Sequence, residues 1–204
     1  MLLIWYALKK AGGDIWEELL YLMMFNVFWL LGSLLLLPMP LLTFGLVFTA
    51  YDIGQGKGIK FNTFLGHMRR MWKQALIWGG FNLGLAIIVW INLNFYAGFQ
   101  TQWAPIAQMF IISLTIFWAI LQLVTLPLYP RLEEPSFRIA LRNAAILVGR
   151  YPLVILVLVI MAVLIGVISS LFPVLAFLGV MSLIAVVANR MVGAIVDREL
   201  EREV

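Results

Sequence analysis

The chain has 204 residues, of which 64% are hydrophobic and only 12% charged, and its mean hydropathy is +1.02. Soluble domains usually have about 45–50% apolar and about 25% charged residues, so this composition excludes an ordinary soluble domain and indicates a multi-pass membrane protein. The absence of cysteine excludes a disulfide framework, and the net charge of +4 does not indicate a nucleic-acid partner, because the basic residues flank hydrophobic segments.

The charged residues fall into four islands that leave three long charge-free stretches between them. A helix needs about 20 apolar residues to cross a bilayer core about 30 Å thick, so each stretch can hold a pair of crossings. If every stretch is such a hairpin, all 14 Lys and Arg lie on one side of the membrane, which the positive-inside rule makes cytoplasmic. The charge islands are Lys9 to Glu18, Asp52 to Lys73, Arg131 to Arg150 and Arg190 to Glu203.

The N-terminal region predicts a short interfacial helix followed by the first span. Leu2 to Lys10 forms the short helix, which we expect to end at Ala11, Gly12 and Gly13. Asp14, with Glu17 three residues later, fits a capping box that starts a span over residues 15–37. The first apolar segment is too short for a signal-peptide core, so we expect the first span to stay in the mature protein.

The second span is short, and two interpretations of it are open. Pro38 and Pro40 end the first span, and the apolar run from Leu41 to Tyr51 follows. This run is either a thin crossing over residues 40–53 or a re-entrant half-helix. The basic island behind it favours the crossing, because a failed crossing would place that island opposite the other basic loop.

A Gly-rich turn and an amphipathic helix follow the second span. The turn from Asp52 to Gly58 lacks the spacing of a phosphate-binding loop. Asn62 is the predicted N-cap of an amphipathic helix on the inner membrane surface. The basic residues predicted to contact that surface here are Lys57, Lys60, Arg69, Arg70 and Lys73.

The rest of the chain predicts four more spans. Residues 74–92 and 105–127 form a hairpin around an uncharged external loop from Asn92 to Ala104. A second amphipathic helix begins at Pro135, with Arg138 and Arg142 on its membrane-surface side. Spans over residues 152–170 and 173–195 follow, separated by a tight turn at Phe172 and Pro173.

The spans carry no acidic, basic or histidine residue away from their ends, which argues against proton-coupled transport. His67 is the sole histidine of the chain and lies on the amphipathic helix, so neither a His-based metal site nor a Ser-His-acid triad is indicated. We therefore expect no enzymatic activity, no catalytic residues, no metal and no cofactor.

Amides and hydroxyls are the polar groups inside the spans, and they have two interpretations. One is hydrogen bonding between helices. The other is a pocket for a neutral polyol or a lipid headgroup, whose candidate ligand-binding residues are Asn26, Thr43, Asn82, Gln108 and Gln122. Gly80 and Gly84 form a G-x-x-x-G pattern that allows close helix packing, either within the bundle or in a homodimer.

The run from Asn26 through Trp29 to Pro38, followed by Thr43 and by Ala50-Tyr51, resembles the YesL-like family of bacterial integral membrane proteins. The resemblance continues through Phe61 to Lys73, Tyr129-Pro130 and Ala140 to Ala144, although Phe44-Gly45 stands where the family has a more proline-rich turn. It implies a bacterial plasma-membrane protein that acts alongside the permease subunits of an ABC-type carbohydrate uptake system. It implies no catalytic residues.

The sequence thus predicts an all-α bundle forming a single membrane domain over residues 1–204. It has six transmembrane helices, the second of them short, two cytoplasmic amphipathic helices and both termini in the cytoplasm. The expected partners are anionic lipid headgroups and ABC sugar permease subunits. The predicted function is a non-enzymatic accessory or assembly partner of that uptake system, and the alternative is a small facilitator or channel for an uncharged solute.

Overall fold

A computed structural model describes residues 2–99 and 101–203, and this part of the chain is helical with short connections. A 3-10 turn, Tyr129–Arg131, follows the sixth helix. The helices are α1 (Leu2–Glu17), α2 (Leu19–Ser33), α3 (Met39–Gly54), α4 (Phe61–Arg70), α5 (Trp72–Ala97), α6 (Trp103–Leu128), α7 (Phe137–Arg150), α8 (Pro152–Leu171) and α9 (Pro173–Glu203).

The described residues form helices without strands, and several of these helices are long and apolar enough to cross a membrane, as expected of a membrane protein. Four segments meet both criteria within the described residues, and the pair α1–α2 becomes a fifth if it is one span bent by 85°. Helix α3 is apolar but shorter. The four segments are Trp72–Ala97, Trp103–Arg131, Pro152–Leu171 and Gly179–Arg202.

The N-terminal region corrects three sequence-based predictions. Gly12 and Gly13 do not end the first helix, because α1 continues to Glu17. Asp14 therefore lies inside α1 and is not an N-cap; its carboxylate accepts a hydrogen bond of 2.7 Å from the Arg190 guanidinium of α9. The predicted span over residues 15–37 is also not one straight helix, because the chain bends by 85° at Glu18 and α2 already ends at Ser33.

The central hairpin is longer than predicted. Helix α5 runs to Ala97 and α6 begins at Trp103, so most of the predicted external loop is helical. Within this helix the Asn92 and Asn94 side chains each donate a hydrogen bond of 2.7 Å to the carbonyl four residues earlier. Their amides are thereby satisfied without leaving the helix. Gln100, also in the predicted loop, lies outside the described residues.

Other predicted boundaries lie close to the observed ones. Helix α8 begins at Pro152, and a break at Phe172 separates it from α9, which begins at Pro173. The two amphipathic helices are α4 and α7, although α4 begins at Phe61 with Lys60 as its N-cap rather than Asn62.

Helix α9 is the centre of the bundle and packs against α1, α2, α3, α6 and α8. Helix α3 is also mostly buried, with eleven of its sixteen residues inside. In contrast, Ala75 alone is buried in α5. Large side chains such as Trp90 and Phe110 are two-thirds exposed on the outer hairpin. Apolar surface of this kind suits contact with lipid acyl chains.

Candidate functional site

The clearest candidate site is a cavity of about 590 Å³ between the α5–α6 hairpin and helices α3 and α9. Three of the five predicted ligand-binding residues line it: Thr43 on α3, Asn82 on α5 and Gln122 on α6. Leucine, valine, alanine, isoleucine and tryptophan side chains form most of the remaining wall. We call this space the hairpin cavity.

Two tryptophans hold the amides of the hairpin cavity in a reciprocal pair of contacts. Trp78 on α5 donates its indole N–H to Gln122 Oε1 at 2.7 Å, and Trp118 on α6 donates to Asn82 Oδ1 at 2.9 Å. Asn82 Nδ2 in turn donates to the Trp78 carbonyl at 2.8 Å. Each helix thus supplies one indole and one amide, and the contacts clasp α5 to α6.

The third polar group is paired in the same way. Thr43 Oγ1 accepts a hydrogen bond from the Trp29 indole at 2.9 Å and donates one to the Met39 carbonyl at 2.8 Å. The first contact joins α2 to α3 and the second lies within α3. Thr43 therefore acts as a link between helices.

Gln122 Nε2 is the exception in the hairpin cavity. Among the described residues this buried nitrogen has no hydrogen-bond partner, and Gln122 is 9% exposed. An amide nitrogen that stays unpaired in an apolar environment costs about 1–3 kcal/mol. The hairpin cavity thus offers one buried donor in an otherwise apolar space.

The other two predicted ligand-binding residues lie elsewhere, so the five do not form one pocket. Asn26 is fully buried between α2 and α9, where its amide donates to the Phe177 carbonyl at 2.8 Å and accepts from the Met181 N–H at 2.9 Å. Gln108 donates to the Leu93 carbonyl at 3.1 Å across the hairpin. Both amides serve contacts between helices.

The close approach predicted at Gly80 and Gly84 occurs one residue earlier. Among the described residues, a Cβ atom built on either glycine would have no neighbour within 4 Å, apart from the adjoining residues and the nearby backbone of the same helix. A Cβ on Gly79 would lie 2.3 Å from Cγ of Pro40, so α5 meets the start of α3 at Gly79. Gly80 and Gly84 do not pack within this bundle, because they lie on another face of α5.

The seven basic residues predicted at the membrane surface are all exposed, on α4, on α7, at the start of α5 and in the turn before α4. Lys57 also contacts Asp52 at 3.3 Å. His67 lies 2.7 Å from the other oxygen of Asp52, so this contact joins α4 to the end of α3. The seven are Lys57, Lys60, Arg69, Arg70, Lys73, Arg138 and Arg142.

Direct contacts bring all four charge islands to α9. Arg190 bonds to Asp14 and, at 2.9 Å, to the Gly54 carbonyl. Arg131 donates to the Asn189 carbonyl at 2.8 Å. The Glu199 carboxylate accepts hydrogen bonds from Arg150 and from the Tyr151 hydroxyl. These residues lie at the same end of the bundle.

The Tyr151–Glu199 contact also affects acid–base behaviour. The hydrogen bond from the Tyr151 hydroxyl to the Glu199 carboxylate raises the pKa of Tyr151 above its ordinary value, because ionised tyrosine could not donate it. Sequence analysis did not identify this contact, since the two residues are far apart in the chain.

Sequence analysis also missed the indole partners of the hairpin cavity, because each indole lies on the helix that faces its amide. A signal for them exists: tryptophan precedes an amide by four residues on both helices, at Trp78–Asn82 and at Trp118–Gln122.

Within the described residues, no cluster of three or more His, Cys, Asp and Glu could hold a metal ion. Comparison of the chain with family models, curated proteins and solved structures gave no match in any of the three.

Proposed function

We propose that the chain is a non-enzymatic component of the bacterial cytoplasmic membrane that assists or assembles an ABC-type carbohydrate uptake system. The observation that carries this proposal is the pairing of polar groups in the hairpin cavity. Asn82 and Thr43 are engaged in contacts between helices, and Gln122 has one free donor. A sugar has many hydroxyls and needs a continuous series of partners along a path, which paired amides do not offer.

The proposed topology has six spans with both termini and both amphipathic helices in the cytoplasm. It is supported by the direct contacts of the four charge islands at one end of the bundle. In this topology α3 is the thin crossing. Its 16 residues span about 24 Å at about 1.5 Å per residue, less than a bilayer core of about 30 Å.

The link to carbohydrate uptake rests on the resemblance to the YesL-like family. A partner protein needs lipid-facing or protein-facing apolar surface, and α5 supplies such surface along most of its length. The open glycines Gly80 and Gly84 lie on this helix and offer a face for close approach of a second helix. The permease subunits or a second copy of the chain are the proposed occupants of that face.

A facilitator for an uncharged solute is the second candidate, favoured by the size of the hairpin cavity and by Gln122 Nε2. Purified chain in liposomes separates the two. Under the partner proposal, wild type shows no saturable sugar uptake. Under the facilitator proposal, uptake occurs and Gln122→Leu removes it, whereas Asn94→Leu, which changes an amide outside the cavity, does not.

The partner proposal also requires a positive result. The chain, co-expressed with the two permease subunits of a carbohydrate importer from its own genome, should co-purify with them in a fixed ratio in mild detergent. Importer-dependent uptake in cells should fall when the chain is deleted and return with wild type. Saturable sugar uptake by the chain alone would refute the partner role.

A further inference from the structure

A second, polar cavity of about 470 Å³ lies at the end of the bundle where the charge islands meet. Its wall contains residues from each island: Lys10 from α1, Gly54 from α3, Arg131 from the 3-10 turn, and Arg190 with Asp197 from α9. Tyr6, Tyr51 and Asn189 add polar groups. We call it the arginine pocket.

Arg131 is held in the arginine pocket by neutral groups. Its guanidinium donates to the Pro127 carbonyl, to Asn189 Oδ1 at 3.0 Å and to the Asn189 carbonyl at 2.8 Å. The Tyr51 ring lies 4.9 Å from the guanidinium carbon. Within the described residues no carboxylate lies within 4 Å of Arg131. A largely enclosed guanidinium with no carboxylate in direct contact favours a bound anion.

The charges of the pocket do not cancel. Arg190 is neutralised by Asp14, which receives two hydrogen bonds from the guanidinium. The Lys10 ammonium lies over the Tyr6 ring, 4.7 Å from its centroid. Asp197 is the acidic residue of the wall and balances one of the two remaining cations, Lys10 and Arg131. The pocket therefore has a net charge of +1.

Gly193 on α9 makes room for the Arg131 head group. A Cβ built at this position would lie 2.7 Å from Nη2 of Arg131. Any side chain here would therefore push the guanidinium away from α9. The close approach keeps the guanidinium at the pocket wall.

We propose that the arginine pocket binds a phosphate anion. Guanidinium groups match the oxygens of phosphate in geometry and charge. Phosphate is also the oxyanion present at every phospholipid surface, and the pocket lies where the charged ends of the spans meet. The source is either the headgroup of an anionic phospholipid or a soluble phosphate ester.

The test uses the purified, delipidated full chain in mild detergent. Binding of phosphatidylglycerol, phosphatidylcholine and inorganic phosphate is measured by native mass spectrometry and by thermal stabilisation. We expect the chain to bind phosphatidylglycerol or inorganic phosphate in preference to phosphatidylcholine. Phosphatidylglycerol binding that inorganic phosphate and glycerol phosphate do not displace identifies a lipid headgroup; displacement identifies a soluble phosphate ester.

Substitutions in the wall test whether the phosphate anion binds in the arginine pocket. Lys10→Gln should weaken it about fivefold, the effect expected for one basic residue near anionic phosphate. Lys9→Gln is the matched control, because Lys9 is the neighbouring exposed lysine and does not line the pocket. Gly193→Ala should also weaken binding while leaving the gel-filtration profile unchanged, since the three atoms nearest to the added methyl belong to the flexible end of Arg131.

Arg131→Gln should reduce binding at least as much as Lys10→Gln. If this variant does not fold, Lys10→Gln and Gly193→Ala still show whether the anion binds in the arginine pocket. Equal weakening by Lys9→Gln and Lys10→Gln would overturn the proposal, as would wild type that does not prefer anionic phosphate. Either result leaves the proposed partner function untouched, because that function does not depend on the arginine pocket.

Discussion

Asn26 gives the sharpest test of how the bundle is held together, because one buried amide contacts two backbone groups of another helix. The Phe177 carbonyl and the Met181 N–H are four residues apart, the pair that bond to each other in a regular helix. Asn26 bonds to both, at 2.8 Å and 2.9 Å, and its oxygen is also 3.4 Å from the Ser182 N–H. A single side chain of α2 is therefore bonded to both ends of one helical turn of α9.

Asn26→Leu keeps a side chain of similar size and removes these contacts. Hydrogen bonds between membrane helices contribute on average about 0.6 kcal/mol each, and at most about 1.7 kcal/mol. Two good contacts to backbone groups predict a loss of about 1–3 kcal/mol in the free energy of unfolding.

The assay is reversible unfolding in mixed micelles of dodecyl maltoside and SDS, followed by circular dichroism. Asn94→Leu is the matched control, because its exposed amide bonds only within its own helix, and we expect a change within about 0.5 kcal/mol. Equal stability of the two variants would refute the reasoning that Asn26 joins α2 to α9.

Three further predictions follow from single positions. With single cysteines in this cysteine-free chain, an impermeant thiol reagent should label Gln102→Cys in intact cells and leave Gly58→Cys unlabelled; external labelling at position 58 would contradict the proposed topology. Gly79→Ala should lower stability by about 1–3 kcal/mol because its methyl meets a proline ring, whereas Gly80→Ala, one residue away in open space, should be neutral or stabilising by up to about 1 kcal/mol. Asp14→Asn should cost about 1–3 kcal/mol in the mixed-micelle assay by leaving its arginine partner on α9 without a carboxylate, and an unchanged stability would show that this ion pair is not needed.

The fold class could be predicted because the bilayer imposes length and charge rules on short stretches of sequence. Prolines also act locally: Pro152 starts α8, and the break at Phe172 precedes Pro173 at the start of α9. These signals need no knowledge of the rest of the chain.

The remaining features depend on tertiary contacts. Asp14 has a good capping pattern, yet it bonds to Arg190, which is distant in sequence, and α1 continues through two glycines. Propensity is a weak signal and such contacts override it. The G-x-x-x-G pattern could not show whether Gly79 or Gly80 meets a neighbour, since that depends on the rotation of α5 against α3.

The candidate site could be predicted only in part, because some of its features also depend on tertiary contacts. Polar side chains are easy to find in an apolar sequence, and the structure brings three of the five predicted residues, Thr43, Asn82 and Gln122, to one cavity. Their indole partners decide whether those amides are free to bind a ligand. That information lies in the facing helix.

The central position of α9 has a consequence for biogenesis. This helix follows every other described helix in the chain, yet it contacts five of them and receives the ion pair from α1. During translation the earlier helices must therefore enter the membrane before the helix that joins them has been made. Until then Asn26 lacks its contacts to α9 and Asp14 lacks Arg190, so the nascent protein presents polar groups in α1 and α2 that insertion factors and quality-control proteases can recognise.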